Sequence, residues 1–104
     1  MSKMFKTKIW LDDIRPAPEG EGFFWAKTFK EAIWAIRVMD ELYGKIDFIS
    51  FDHDLGEEES GYDVAKYLVR NQIVVDNYTV HSANPVGKHN IEQLLNHYGY
   101  KKYY

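Results

Sequence analysis

The chain switches repeatedly between short apolar runs and residues that recur at helical spacing. Lys8-Ile9-Trp10-Leu11 is an apolar run that stops at Asp12-Asp13. Arg15-Pro16-Ala17-Pro18 and the glycines at 20 and 22 follow, which predicts a strand and its loop exit. Phe23-Phe24-Trp25-Ala26 predicts a second short strand. Thr28-x-x-Glu31 then has the spacing of a capping box, and Phe29, Ala32, Ile33, Ile36, Met39 and Tyr43 return every three or four residues, so a helix is predicted from there to Gly44. Ile46 to Phe51 is rich in strand formers and runs into Asp52-His53-Asp54. Ser60-x-x-Asp63 predicts the cap of a second helix with Val64, Ala65, Leu68 and Val69 inward. Tyr78-Thr79-Val80 reads as a strand ending at His81-Ser82. Asn84 is a good N-cap with Pro85 in the first helical position, and Ile91, Leu94, Leu95 and Tyr98 form the inward stripe of a last helix that Gly99 stops. Tyr100 to Tyr104 completes the pattern as a final edge strand. Trp10, Trp25 and Trp34 are assigned to the core, and His89 and His97 to the surface of the last helix.

Strands alternating with helices predict βαβ units: a three-layer α/β sandwich with a mainly parallel sheet of about five strands. At 104 residues with no repeat or linker, the whole of 1–104 is one domain. Parallel sheets bind ligands outside the carboxyl ends of their strands. Asp12-Asp13, Asp52-His53-Asp54 and His81-Ser82 each lie just past such an end, so three clusters distant in sequence are expected to meet in one pocket.

Composition narrows the chemistry of that pocket. There is no cysteine, which excludes disulfide frameworks, thiolate metal sites and cysteine nucleophiles. No stretch approaches the roughly 18 apolar residues of a membrane span, and the opening Met-Ser-Lys-Met-Phe-Lys has no apolar signal segment, so a cytoplasmic protein without a membrane is expected. A net charge of −3 provides no global field for gripping a long nucleic acid. The local distribution is more informative: Asp52, Asp54, Glu57, Glu58, Glu59 and Asp63 crowd into twelve positions with no lysine or arginine, as in a cation site or a solvated loop.

If the chain stays extended past Phe51, Asp52 and Asp54 face one way and His53 the other. Asp12, Asp13 and Asp52 then form an oxygen-rich ligand set that suits Mg²⁺ or Mn²⁺. His53 and His81, arising at two strand ends, are the candidate proton-transfer pair, with Asp54 as a further acid or base. The helix start at Asn84 to Lys88 offers free amides and the positive end of a helix dipole to an anion. Gly87 permits close approach and Lys88 adds charge, while Ser82 and the planar fork of Arg15 can hold the same phosphate.

Three blocks taken together resemble the cyclic-phosphate-processing receiver-like domains, relatives of the receiver domains of two-component response regulators. The blocks are Leu11-Asp12-Asp13-Ile14-Arg15-Pro16, then Ser50-Phe51-Asp52-His53-Asp54-Leu55-Gly56 with Gly61-Tyr62-Asp63, and Val80 through Gly87. The resemblance implies a flavodoxin-like sheet and a role on cyclic phosphate ends, including RNA repair. Like signalling receivers, the chain has an acidic pair after strand one, Asp52 after a later strand, and a hydroxyl at Ser82. Unlike them, it shows no helix between its first two strands, adds His53 and His81, and offers only Lys101 or Lys102 as a late lysine. The expected function is therefore that of a hydrolase, a phosphoesterase-like enzyme acting on a cyclic phosphate of a nucleotide or RNA end. The alternative is a non-catalytic receiver-like signalling or protein-interaction domain.

Overall fold

The computed structural model describes residues 7–103. Its elements are β1 (Lys8–Leu11), β2 (Phe23–Ala26), α1 (Phe29–Tyr43), β3 (Ile46–Phe51), α2 (Gly61–Arg70), β4 (Val75–Val80) and α3 (Pro85–His97). The four strands form one sheet in the order β2-β1-β3-β4, parallel throughout. β3 lies inside the sheet and is buried at every position, its two polar residues, Asp47 and Ser50, included.

The helix boundaries follow their local chemistry. At α1 the Thr28 hydroxyl accepts the Glu31 amide, while the Glu31 carboxylate accepts the Lys27 amide, one residue earlier than a standard capping box. Gly44, at φ 73°, closes the same helix in a left-handed conformation. The Asp63 carboxylate accepts the Ser60 amide at the start of α2. Asn84 caps α3 by accepting the Gly87 amide, with Pro85 first in the helix.

The α/β class and the parallel sheet are as the sequence predicts, and four details differ. β4 starts at Val75 rather than Tyr78. The sheet has four strands because the C-terminal segment contributes one bridge only, Tyr78 to Lys102. That segment is anchored by the Tyr100 hydroxyl, which donates to the Ile73 carbonyl with the Leu68 carbonyl beside it, and it returns to β4 at Tyr78, whose amide donates to the Lys101 carbonyl and whose carbonyl accepts the Tyr103 amide.

The third detail is layering. Residues 12–22 join β1 to β2 without a helix. The crossovers β2-α1-β3 and β3-α2-β4 then run in the same direction across the sheet, and right-handed crossovers put both helices on one face. α1 packs on α2 and α2 on α3, so the helices form a single layer. Ile9, Leu11, Ile49, Phe51 and Tyr78 are buried beneath it. Among the described residues no helix covers the opposite face. Aromatic side chains shield it, with Trp10 edge-on to Phe23 and Phe48 edge-on to Tyr103.

Fourth, Trp34 is not a core residue. It sits on the outer side of α1 with 59% of its surface exposed, because Ala32, Ala35 and Ile36 take the inward positions. Trp10 and Trp25 are half-buried. No helix of the described chain is long and apolar enough to cross a membrane.

Candidate functional site

Parallel strands aligned in register bring β1, β3 and β4 to a common edge. The Asp52 amide donates to the Leu11 carbonyl and the His81 amide to the Phe51 carbonyl, so the ladder continues one residue past each strand and locks the exits together. Between them opens a cavity of about 470 Å³, lined by Asp12, Asp13, Arg15, Asp52, Asp54, Gly56, His81, Ser82 and Asn84 among others.

Asp12 is the most constrained group in it. The residue is 4% exposed. Its Oδ1 accepts the Ile14 and Arg15 amides at 2.9 and 2.7 Å, and its carbonyl accepts the Trp25 indole N–H at 2.7 Å. Burial pushes the carboxyl pKa up, but the two amides and His81 outweigh burial and hold it below its ordinary value. Oxygen atoms of Asp12, Asp13 and Asp52 lie within 4.8 Å of one another. Three hard oxygen donors at that spacing fit a divalent cation of the Mg²⁺ or Mn²⁺ type.

His81 is built into the wall beside them. Its Nε2 is 3.0 Å from Asp12 Oδ2, its Nδ1 is 2.7 Å from Ser50 Oγ, and its ring stacks on Trp10 at a centroid distance of 3.9 Å with planes 5° apart. Burial pushes its pKa down, and the neighbouring Asp12 only partly opposes this, so the imidazole is neutral at pH 7. Ser50 and Trp10 touch the His81 ring; the sequence pattern assigns Trp10 to the core and places Ser50 only at the head of a motif block, with neither at the site. Their signal was available: Trp10 pairs with Ser50 and Ser50 with Thr79 across the sheet, and period-two alternation carries that face on to His81. A lone hydroxyl in the otherwise apolar stretch Phe48 to Phe51 marks the same spot.

Asp52 and Asp54 both line the cavity, while His53 does not. The His53 ring turns toward α3, where a Cβ on Gly87 would come within 2.3 Å of it. Gly87 thus makes room for an imidazole, and its amide is already given to Asn84. Neither Gly87 nor Lys88 is on the cavity wall, in contrast to Arg15, Ser82 and Asn84. His53 Nδ1 lies 2.9 Å from Asp54 Oδ1, and Asn84 Nδ2 donates to Asp54 Oδ2 at 3.2 Å. These contacts, His53 first, hold the exposed Asp54 carboxyl below its usual range. Lys102 pairs with Glu92 on α3, and neither it nor Lys101 reaches the cavity.

The acidic run therefore divides its labour. Asp52 and Asp54 face the cavity, the Glu57 carboxylate accepts the Phe29 amide at the start of α1, and Asp63 caps α2. Gly61 makes this tight path possible, since a Cβ there would fall 1.9 Å from the Asp52 carbonyl oxygen.

A parallel sheet with an acidic pair after β1, an aspartate after β3 and a hydroxyl residue after β4 defines the receiver class of α/β domains. Within that class, a family model described as the cyclic-phosphate processing receiver domain matches residues 7–97. The chain belongs to this family. No curated protein and no solved structure matches it.

Proposed function

We propose that the chain is a phosphoesterase-like enzyme that opens or removes a cyclic phosphate on a nucleotide or RNA end, using Mg²⁺ or Mn²⁺ held by Asp12, Asp13 and Asp52. The observation that carries the proposal is the joining of this carboxylate trio to a buried, neutral imidazole through the 3.0 Å contact between Asp12 and His81. A signalling receiver needs the carboxylates; only proton transfer calls for the imidazole. A cation in that trio would relieve the crowded carboxylates and polarise a phosphoryl oxygen.

The remaining roles belong to the chain. Arg15, Ser82 and Asn84 surround the cavity with donors suited to phosphate oxygens. With the Asp12 carboxylate committed to a cation, the His81 ring would hold its proton on Nδ1 toward Ser50 Oγ, leaving Nε2 to take the proton of a water that attacks phosphorus. As one phosphoester bond breaks, the same imidazole returns that proton to the departing ring oxygen, leaving a phosphomonoester and a free hydroxyl. Ser50 and Trp10 hold the imidazole in place. Asp54 orients the attacking water, and His53 acts through Asp54 as a positioning residue rather than by touching the substrate. An RNA end as substrate would place the protein in RNA repair.

The test is a panel of 2′,3′-cyclic nucleotides, other cyclic phosphates and RNA ends, each with and without Mg²⁺ or Mn²⁺. His81→Ala should reduce turnover by about 10² to 10⁴, measured at saturating cation because loss of the contact to Asp12 should itself weaken cation binding by about 10- to 100-fold. The engagement of both His81 ring nitrogens inside the protein supports a second reading, in which Asp52 receives a phosphoryl group and the histidine only shapes the wall. Labelling of Asp52 by a small phosphodonor, abolished by Asp52→Asn and indifferent to His81→Ala, together with no turnover of any cyclic phosphate, would falsify the enzyme.

A further inference from the structure

The outward side of α1 is the part of the described molecule whose chemistry the strand-exit site leaves unused. Lys30, Trp34, Arg37 and Glu41 recur at spacings of four, three and four residues, the seam spacing of helices that pack side by side. All four are exposed, and Ile33 and Val38 flank the seam on either side as partly buried residues. Together they border a groove of about 440 Å³. Lys30, Arg37 and Glu41 form no ion pair among the described residues. Trp34, exposed to 59%, sits at the middle of this seam.

The order of these side chains is self-complementary under a two-fold axis. When α1 is laid antiparallel against a copy of itself, with the axis midway between Trp34 and Arg37, Lys30 of one copy meets Glu41 of the other. Trp34 meets Arg37 at the same time. Each pairing occurs twice, giving two lysine–glutamate ion pairs and two guanidinium–indole stacks around one centre, as an isologous interface requires. The parallel arrangement would instead set Lys30 against Lys30 and Arg37 against Arg37.

We infer that α1 is a homodimerisation surface whose partner is a second copy of this chain, paired antiparallel through Lys30, Trp34, Arg37 and Glu41. A single helix pair is a small interface, the class in which weak and transient encounters fall, below about 1,200 Å². This proposal is independent of what the strand-exit cavity does.

Sedimentation velocity on the full chain, from about 5 to 500 μM, tests it against this size of interface. The wild type should shift from a 12.3 kDa monomer toward twice that mass across the range. Lys30→Glu and Glu41→Lys should each weaken the dimer about tenfold, since either change sets two like-charged pairs face to face. The double variant should restore it to within a few-fold of wild type, because it exchanges the charges without altering the register. Trp34→Ala should weaken it as well, with circular dichroism confirming that the exposed substitution leaves the fold intact. A monomer at every concentration overturns the inference. So does a dimer indifferent to the single reversals, or one that the double variant fails to restore.

Discussion

The sheet carries carboxylates at both of its ends, and the two ends treat them in opposite ways. At the amino end, Asp47 and Asp76 share the ammonium of Lys45, at 3.3 and 2.5 Å. The Asp47 carboxylate also accepts the Thr7 amide, while the Asp47 amide donates to the Thr7 hydroxyl. The bonds to Asp76 and then Asp47 raise the lysine pKa, as expected of a cation that its surroundings favour. At the carboxyl end, Asp12, Asp13 and Asp52 converge as tightly, yet no lysine or arginine among the described residues forms an ion pair with them. One end has its counter-charge built into the chain. The other has a neutral imidazole and space, which is how a cluster that takes its cation from solution is made.

The largest expected effect breaks this comparison if it fails. Asp52→Asn should lower Mn²⁺ affinity by more than about 100-fold in isothermal titration, since even groups one shell removed from a metal typically cost 10- to 100-fold. Asp47→Asn, at the end that already holds Lys45, should leave the affinity unchanged. Equal losses at both ends would mean that the cation acts through general charge rather than at the trio. The same contrast appears in stability. A cation at 100 times its wild-type dissociation constant should add about 2.7 kcal/mol to the wild type and no more than about 0.4 kcal/mol to Asp52→Asn, measured by urea unfolding.

Asp47→Ala sharpens the opposite side. It removes the acceptor of the Thr7 amide from a site that is 9% exposed. An unsatisfied buried donor costs about 1 to 3 kcal/mol, so stability should fall by that amount with Mn²⁺ binding untouched. A gain in stability would show that Asp47 is retained for something other than holding the strand ends together.

Much of this contrast was legible in the sequence, for physical reasons that differ between residues. β3 could be read because Ile46, Phe48, Ile49 and Phe51 are strand formers crowded into six positions, and α1 to α3 because Thr28, Ser60 and Asn84 mark starts where a helix must leave amides open. The convergence of Asp12, Asp52 and His81 needed only the strand order and the parallel sense. The first half of β4 was hidden because Asp76 and Asn77 interrupt its apolar pattern. Asp76 is there to meet Lys45, a contact 31 residues away that no local rule reports. Lys88 and Gly87 were drawn toward the site by the logic of free helix amides, but that amide belongs to Asn84 and the space at Gly87 belongs to His53. Trp34 was assigned inward by hydrophobicity alone, although alanines at 32 and 35 already fill the side of α1 that faces the sheet.

The smallest expected effect concerns a carboxylate at neither end of the sheet, one whose partners are all internal. Asp63 accepts the Ser60 amide and hydroxyl and pairs with Lys66 at 3.1 Å. The amide bond, the largest cause, brings its pKa below the ordinary 3.8 despite partial burial. Because the folded value lies below the unfolded one, the unfolded chain binds more protons as pH falls. The stabilisation is therefore complete above about 4 and is lost as pH drops through the folded pKa. A cap of this kind contributes about 1 kcal/mol. Asp63→Asn should lower stability by that order at pH 7 and by less at pH 2, where the wild-type carboxyl is itself protonated, so its curve between pH 5 and 2 should be flatter than the wild type's in chemical denaturation. Added Mn²⁺ should raise both curves equally at pH 7, since α2 is capped by the chain's own carboxylate. A curve as steep as that of the wild type would show that Asp63 titrates without its cap, and that the acidic loop is held by Glu57 and the Gly61 contact instead.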